Sequence, residues 1–268
     1  MTSLRGRSLT LLVAVVSALA TISVRAAETE ADRARLLDIL VKSYPEFLER
    51  HEGGAIVWKD GTRMPFDDGI DGKDFEALLD KPSLKDMFYA PYPLSSSAAE
   101  PSLNIDPGRV RYEPFFAKMY GDCRKREVEK SLVNMIWLPK KWGKPVKISK
   151  VNGAAEALAK VSAELDQLPA SFDKYLFPPA GTYNCRVIAG TSRISAHGAG
   201  IAIDISTRHA HYWFWSKGKG DPIPYRNAIP PEIVAVFEKH GFIWGGKWYH
   251  YDTMHFEYRP EIIAAGAK

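Results

Sequence analysis

Apolar residues recur every three or four positions in three segments of the chain, and this spacing predicts amphipathic helices. The first segment covers 31–43, and Pro45 limits its extension. The second runs through 155–168, with Asn152 as the expected N-cap. The third covers 231–240; it begins with a proline and is followed by a glycine, the residues that favour a helix start and a helix end.

Other segments show the patterns of strands and loops. The run 55–65 predicts two short strands joined by a turn at Asp60-Gly61. The compact apolar run 132–138 predicts a buried strand, whereas 91–108 is rich in proline, serine and glycine and predicts a surface loop. This mixture of strands, turns and helices predicts an α+β fold, with a small, mostly antiparallel sheet and helices packed on it.

A carboxylate lies inside a strongly apolar strand pattern. Ile201, Ile203 and Ile205 alternate, so they share one face of the predicted strand and Asp204 lies on the other. A buried carboxylate requires a cation or several hydrogen-bond donors, because its isolated burial is very costly. His197 precedes Asp204 by seven residues, where a loop can fold it back beside that carboxylate.

A second strand pattern also carries polar side chains on one face. In the run 253–258, His255 shares a face with Thr253 and Glu257, while the apolar residues between them face a core. His197, Asp204 and His255 therefore form a three-ligand set that suits Zn²⁺, with a fourth position open for water. Asp252, three residues before His255, supplies a second carboxylate that is not a ligand.

Histidines cluster in this half of the chain, since six of the seven lie between residues 197 and 255. A single histidine near a strand is more often structural than a metal ligand, and His209, His211 and His240 are interpreted in that way. The helical HExxH signature of many metallopeptidases is absent from the sequence. Only the combination of the two strand patterns favours a metal site.

The composition is that of a globular protein, with 268 residues of which 46% are hydrophobic and 25% charged. This length suits one large domain or two small ones, and the composition excludes a disordered tail, a collagen-like repeat and a polytopic membrane protein. The formal net charge is +4, but the first 26 residues hold three arginines and no acidic residue, which leaves 33 basic against 32 acidic residues. No long basic run remains, so nucleic acid is not an expected partner.

The first 26 residues have the pattern of a signal peptide. Arg5 and Arg7 precede an apolar stretch from Leu9 to about Val24, and cleavage is expected after Ala26. The alternative is a retained membrane anchor, for which the stretch is short. We expect an exported protein of the periplasm or cell envelope, without stable membrane insertion after cleavage.

The chain has two cysteines, Cys123 and Cys185. In an oxidising compartment they can form a disulfide; the alternative is two buried free thiols.

Three motifs together resemble a known family. They are SxHxxGxAxD from Ser195 to Asp204, WGGxW from Trp244 to Trp248, and DxMHFE from Asp252 to Glu257. In combination they resemble the zinc peptidases of the D-alanyl-D-alanine carboxypeptidase and L-alanyl-D-glutamate endopeptidase family, which trim or cut peptidoglycan stem peptides. The resemblance covers about residues 180–260.

The resemblance implies roles for individual residues. His197, Asp204 and His255 correspond to the zinc ligands and Asp252 to the catalytic base. Many family members carry glutamate at the base position, and aspartate is more typical of the endopeptidase branch. The resemblance therefore does not decide which of the two peptide bonds is cut. Ser195 and Glu257 are expected to brace the site rather than to react.

The family pattern also implies an upstream arginine that holds the scissile carbonyl or a substrate carboxylate. Arg186 is the first choice and Arg193 the second; the alternative for each is a structural ion pair. His250 is interpreted either as a hydrogen-bond donor behind the ligands or transition-state stabiliser, or as a structural residue.

The expected domain organisation is a signal peptide at 1–26, an accessory region at 27–115 and a zinc peptidase domain at 116–268. The expected function is amide hydrolysis in stem peptides, as a carboxypeptidase or as an endopeptidase. Two alternatives of other classes are a zinc-containing module that binds cell-wall peptide without cutting it, and a purely structural exported protein. The sequence gives no prediction of the oligomeric state.

Overall fold

The computed structural model of the protein describes residues 30–94, 100–216 and 222–267. These residues form three small antiparallel sheets and a set of helices. The helices are α1 (30–43), α2 (Phe75–Asp80), α3 (Glu113–Tyr120), α4 (Ala154–Leu165), α5 (Asp173–Leu176), α6 (Pro231–Lys239) and α7 (Pro260–Gly266). The strands are β1 (Leu48–Glu52), β2 (Ala55–Trp58), β3 (Arg63–Pro65), β4 (Leu132–Trp137), β5 (Lys144–Ser149), β6 (Ala202–Asp204), β7 (Phe242–Trp244) and β8 (His255–Tyr258). The predicted signal peptide, 1–26, lies outside the described residues.

The α+β class and the antiparallel pairing are confirmed, but the strands form three sheets where the sequence indicated one. Their orders are β1-β2-β3, β4-β5 and β6-β8-β7. In the third sheet β8 is central, and its register sets Asp204 opposite His255 and Ala202 opposite Glu257. Within the described residues, no helix has the length and apolar character needed to cross a membrane.

The helices at 30–43 and 231–239 confirm two of the predictions. The helix predicted through 155–168 is also present, as α4. Asn152 is not its N-cap, because the helix begins at Ala154 and Gly153 occupies the cap position. Asn152 has a φ of +52°, and its side-chain amide donates instead to the carbonyl of Ser43 at 3.0 Å. This contact across the fold overrides the local capping preference.

The run 132–138 forms a strand as predicted, but the strand is only partly buried. Strand β4 pairs with β5 alone. Trp137 is fully buried in a cluster with Leu158 and Val161 of α4, while Ile136 is 45% exposed. A two-stranded hairpin packed on one helix layer leaves its other face to solvent, which explains the difference.

Two hydrophobic clusters flank the third sheet. The larger contains Ile203 and Ile205 together with the apolar side of α4 and α6. The other contains Ile201 and Ala202 with side chains of α1, β2 and α3. The prediction that all three isoleucines share one face was therefore wrong for Ile201, because the strand begins only at Ala202, after a turn at Gly200.

The second cluster joins both sides of the predicted boundary between residues 115 and 116. Helix α3 spans that boundary, and Phe115 packs in the same cluster as Ala196 and Ile201. The first part of the described chain thus packs directly against the segment that carries the motifs.

Candidate metal centre

The three predicted ligands come together in the fold. Asp204 ends β6 and His255 begins β8, so they are directly opposed on neighbouring strands, where side chains on the same face meet. His197 lies in a 3₁₀ turn, Ala196–Ala199, and its amide donates to the Ser195 hydroxyl, which caps the turn. Gly200 ends this turn at a φ of +69°, and a Cβ atom there would lie 2.9 Å from Leu132. A glycine is therefore needed to return His197 to the strand pair.

The ligand atoms of the three side chains lie within 4.8 Å of one another, a grouping that could hold a metal ion. His255 Nδ1 is 2.8 Å from Asp204 Oδ1, and His197 Nε2 is 3.2 Å from both Asp204 Oδ2 and His255 Nδ1. Tetrahedral zinc with nitrogen and oxygen ligands at about 2.0–2.1 Å has neighbouring ligand atoms about 3.3 Å apart. The shortest observed separation, 2.8 Å between His255 Nδ1 and Asp204 Oδ1, would need to open by about half an ångström.

In each imidazole the ring nitrogen that points away from the three-residue group is hydrogen-bonded, and these bonds also indicate a metal site. His197 Nδ1 donates to the carbonyl of Thr182, and His255 Nε2 donates to Glu257 Oε1 at 2.8 Å. With these protons fixed, His197 Nε2 and His255 Nδ1 both present lone pairs to the same space, beside a carboxylate. A proton or a metal cation must lie between them, so the donor set fits a divalent metal.

The pKa values of His255 and Asp204 indicate that the site favours a positive charge. Burial disfavours the protonated ring, yet the hydrogen bonds with Asp204 and Glu257 raise the pKa of His255 to about 10. Burial likewise opposes ionisation of Asp204, but the hydrogen bonds of His197 and His255 hold its pKa well below the usual range.

Glu257 is held by an arginine that lies far away in the sequence. The Arg111 guanidinium donates to both carboxylate oxygens, with Nε 2.9 Å from Oε2 and Nη2 on Oε1. Arg259 Nη1 lies 3.8 Å from Oε2. Burial opposes ionisation of Glu257, but the charge of Arg111 and the hydrogen bond of His255 hold its pKa well below the usual range. Glu257 therefore stays ionised behind His255, as a brace.

Arg259 extends this network into the part of the chain that precedes the motifs. It donates to Glu261 at 2.6 Å and to the carbonyl of Gly108 at 2.5 Å. Glu261 in turn accepts from the Tyr44 hydroxyl of the region after α1, at 2.6 Å. The supports of the candidate metal centre thus come from both halves of the chain.

Asp252 lies in the turn before β8. Its amide donates to the Gly245 carbonyl at 3.0 Å, and its own carbonyl accepts from the amide of His255 at 3.2 Å. A Cβ atom on Gly245 would lie 2.6 Å from the Asp252 carbonyl, which explains the glycine at this position of the WGGxW motif. The carboxylate oxygen Oδ1 is buried and has no hydrogen-bond partner among the described residues. Burial and then the negative charge of Asp204 raise the pKa of Asp252 to about 7.

His250 is held by Asp106, a buried carboxylate that the sequence analysis did not identify. The His250 ring nitrogen Nδ1 lies 2.9 Å from Asp106 Oδ2, and the His250 amide donates to Oδ1 at 3.1 Å. The ring stacks on Phe75 of α2 with centroids 5.1 Å apart. Arg109 Nη1 donates to the same Asp106 oxygen at 2.5 Å.

The two predicted arginines, Arg186 and Arg193, have different partners. Arg186 is exposed, and its nearest hydrogen bond is a long one to the Val187 carbonyl at 3.5 Å. Arg193 pairs with Asp80 of α2 at 2.5 Å. Among the described residues, neither guanidinium is hydrogen-bonded to Asp252 or to the three metal-facing side chains.

Arg186 nevertheless acts electrostatically on the hydroxyl of Tyr212, a residue bridged to Asp252. Tyr212 forms an isolated β-bridge with Asp252. Burial and the charge of Asp252 raise the pKa of the Tyr212 hydroxyl, and the positive charges of Arg109 and, to a smaller extent, Arg186 oppose that rise.

Cys123 and Cys185 form a disulfide, as the sequence allowed. The bridge ties the turn after α3 to the segment just before the motif of His197. The Asn184 amide, next to Cys185, donates to the His197 carbonyl at 3.1 Å. A Cβ atom on Gly198 would lie 3.2 Å from Cys123 Sγ, so the bridge packs directly against the ligand turn.

Comparison with known proteins supports the motif resemblance. No curated protein matches the chain. A family model described as D-alanyl-D-alanine carboxypeptidase matches residues 189–258, about a quarter of the chain. That segment contains the three metal-facing side chains and Asp252. Over residues 189–258 the chain is therefore similar to the D-alanyl-D-alanine carboxypeptidase family, as its motifs predicted.

Proposed function

We propose that the protein is an exported zinc peptidase that hydrolyses amide bonds in peptidoglycan stem peptides, in the manner of a D-alanyl-D-alanine carboxypeptidase. The observation that carries the proposal is the juxtaposition of His197, Asp204 and His255 with the Asp252 turn, where one carboxylate oxygen has no hydrogen-bond partner within the described part of the chain. The family match over this same segment supports the peptidase assignment.

Zinc bound by the three side chains supplies Lewis-acid chemistry, because it acidifies water and polarises a carbonyl oxygen. Asp252 accepts the proton of the attacking water at its carboxylate and later delivers it to the departing amine. Glu257 and the Thr182 carbonyl hold the two imidazoles in the tautomers that leave their inner nitrogens unprotonated.

Arg186 is the first candidate to hold the scissile carbonyl or a substrate carboxylate, since it is exposed and its positive charge acts on the hydroxyl of Tyr212, the residue bridged to Asp252. Arg193 is the second candidate, although its pairing with Asp80 commits part of its guanidinium. His250 is proposed as a supporting residue that contacts Asp106 and Phe75 and does not bind the metal.

The identity of residue 252 favours a second candidate bond. Aspartate at the base position is more typical of the L-alanyl-D-glutamate endopeptidase branch of the family, so cleavage of that bond in the same substrate is the alternative. A zinc-containing module that binds the peptide without cutting it is the alternative of another class. Asp252 counts against it, because a binding module does not need an unligated carboxylate beside the metal.

Export supports the choice of substrate, since peptidoglycan lies outside the cytoplasmic membrane. The signal-peptide pattern of residues 1–26 is the basis for proposing export. The Cys123–Cys185 disulfide is compatible with an oxidising compartment.

The decisive experiment is digestion of purified muropeptides by the mature protein, with identification of the products by mass spectrometry. Loss of the terminal D-alanine identifies the carboxypeptidase, and release at L-alanine identifies the endopeptidase. A zinc-loaded, folded protein that binds muropeptides but leaves every one intact would contradict the peptidase proposal and favour the binding module. The His197→Ala variant is the matched control for contaminating peptidases.

A further inference from the structure

The segment 211–216 lies alongside the turn that carries Asp252, and hydrogen bonds hold its backbone there. Besides the β-bridge between Tyr212 and Asp252, the amide of Trp213 donates to the carbonyl of Tyr251 at 2.8 Å. The segment ends in a 3₁₀ turn, Trp213–Ser216. The side chains of this segment therefore start from backbone that borders the proposed base.

Two consecutive rings of this segment face the solvent. Phe214 is 51% exposed and Trp215 is 62% exposed, whereas every other phenylalanine, tyrosine and tryptophan in the described part of the chain is buried or half-buried. The preceding ring, Trp213, packs edge-on against His250 with centroids 4.8 Å apart. Neighbouring large rings that stay exposed beside a candidate site indicate a binding surface.

Tyr212 orders both exposed rings, and we call Tyr212, Phe214 and Trp215 together the aromatic shelf. The ring of Phe214 lies nearly parallel to that of Tyr212, at 24° and a centroid distance of 6.2 Å. The ring of Trp215 meets Tyr212 edge-on at 5.8 Å. The end of the segment is fixed as well, since Ser216 Oγ lies 3.0 Å from the Tyr251 hydroxyl. Rings that are ordered in advance lose little conformational entropy when a ligand covers them.

We propose that the aromatic shelf binds a sugar ring of the glycan strand to which the stem peptide is attached. This inference rests on the proposed function. The stem peptide is joined to N-acetylmuramic acid through its L-alanine, so a peptide that lies across the metal centre brings that sugar with it. One residue separates the sugar from the L-alanyl-D-glutamate bond and four separate it from the D-alanyl-D-alanine bond, which is at most about 14 Å of extended chain. With either bond at the metal, the sugar can reach a surface next to Asp252.

The chemistry of the aromatic shelf fits a sugar better than it fits the peptide. A pyranose ring presents C–H groups on its faces and polar groups around its rim, and an aromatic ring has a negative face that attracts C–H groups. A sugar stacked on Trp215 or Phe214 buries apolar area and keeps its hydroxyls in water. The carboxylates and amides of the stem peptide need hydrogen-bonding partners, which the face of a phenyl or indole ring does not offer.

The test compares three substrates that contain the same stem pentapeptide. One is the free peptide, one carries N-acetylmuramic acid, and one carries the disaccharide of N-acetylglucosamine and N-acetylmuramic acid. The kcat and KM of each are measured with wild-type protein and with the Trp215→Ala, Trp215→Tyr and Phe214→Ala variants. Ile70→Ala is the matched control, because Ile70 is also a large apolar side chain, 60% exposed, and is not part of the aromatic shelf.

Wild-type protein should have a higher kcat/KM for the disaccharide peptide than for the free peptide, mainly through a lower KM. Trp215→Ala should lower the ratio of these two kcat/KM values by about 5- to 30-fold, the usual effect of losing the partial burial of one large ring. Phe214→Ala should lower it less, because the ring is smaller. Trp215→Tyr should keep more of the ratio than Trp215→Ala, since it retains an aromatic face. Ile70→Ala should leave the ratio within about twofold of wild type.

Equal hydrolysis of the three substrates by wild-type protein would overturn the inference. So would an equal loss on all three in Trp215→Ala, because it would show that the ring only supports the Asp252 turn. The rival occupant of an exposed aromatic surface is a membrane. Co-sedimentation with vesicles of phosphatidylcholine and phosphatidylglycerol that Trp215→Ala abolishes, with no change in the substrate ratio, would assign the shelf to lipid and overturn the inference as well.

A binding measurement separates this inference from the proposed function. Calorimetry in the Asp252→Asn background compares the affinities for the free peptide and the disaccharide peptide without turnover. If wild-type protein hydrolyses none of the substrates, the proposed function fails and the affinities alone decide the inference. Tighter binding of the disaccharide peptide that Trp215→Ala removes supports the sugar-binding shelf, and equal affinities for the two overturn it.

Discussion

Replacement of Asp252 by asparagine tests the proposed base most directly. Asparagine is nearly isosteric, and the backbone contacts of residue 252 with Gly245 and His255 do not involve the side chain. The carboxylate has an oxygen without a partner among the described residues, so its replacement breaks no hydrogen bond at that atom. In the metal-free protein the negative charge is unfavourable, because burial and Asp204 raise the pKa of Asp252 to about 7. We therefore expect no decrease in the free energy of unfolding of the metal-free protein.

Hydrolysis should nevertheless fall by roughly 10²–10⁴-fold, which corresponds to about 3–5 kcal/mol of transition-state stabilisation. Most of the zinc should remain, since residue 252 is not among the three metal-facing side chains. The Asp252→Glu variant should retain more activity than Asp252→Asn, because it restores the carboxylate, although the extra methylene displaces it.

The assay measures release of amine from a stem peptide, together with zinc by elemental analysis and unfolding by denaturant. The competing explanation is that Asp252 only stabilises the turn into β8. Asparagine is also a good turn former, so that explanation predicts an active Asp252→Asn variant and a less active Asp252→Glu variant. An asparagine variant with nearly full activity and normal zinc content would refute the general-base assignment.

Three further predictions concern the metal, the disulfide and the support of the site. Purified mature protein should contain about one zinc per chain, and elemental analysis should show its loss in His197→Ala and in His255→Ala. Replacement of Cys123 and Cys185 by serine should lower the free energy of unfolding, measured with denaturant, by roughly 4 kcal/mol, because the bridge closes a loop of 62 residues. Arg111→Gln should weaken zinc binding by about 10- to 100-fold in a chelator competition, because it leaves the carboxylate behind the ligand without its main partner.

Each of these has a control and an opposite outcome. Equal metal in wild type and both histidine variants would remove the proposed centre. Peptide mapping without reductant that finds both thiols free would contradict the disulfide; activity need not vanish without the bridge, since neither sulfur has a chemical role. Arg124→Gln, a surface arginine variant, is the control for Arg111→Gln, and equal zinc affinity in the two would show that the Arg111 contact does not support the metal.

The parts of the site that follow a short-range pattern could be predicted from the sequence. The period of two in a strand assigns Asp204 and His255 to polar faces, and the antiparallel register then sets them opposite one another. His197 follows from the motif, with Gly200 at the turn that returns it to the strand. The helix at 231–239 is delimited by a proline at its start and a glycine after its end, both of which act locally.

The parts that depend on long-range contacts could not be predicted. Arg111 and Glu257 are 146 residues apart, and no spacing connects them. The only available signal was that a buried glutamate beside a histidine needs a cationic partner, which does not say which arginine supplies it. Asp106 and Arg109 were missed for the same reason. Asn152 shows the converse, since a local capping preference is overridden by a hydrogen bond to Ser43, which lies 109 residues earlier in the sequence.

The Arg111–Glu257 pair has a consequence for modularity. The segment that matches the peptidase family begins at residue 189, yet the counter-charge for its own buried glutamate is supplied 78 positions earlier. A chain cut at residue 116 would divide α3, remove Arg111 and leave Glu257 with the more distant Arg259 as its remaining arginine neighbour among the described residues. The matched segment is therefore not a transplantable unit, and a graft onto another scaffold must carry a substitute for this arginine.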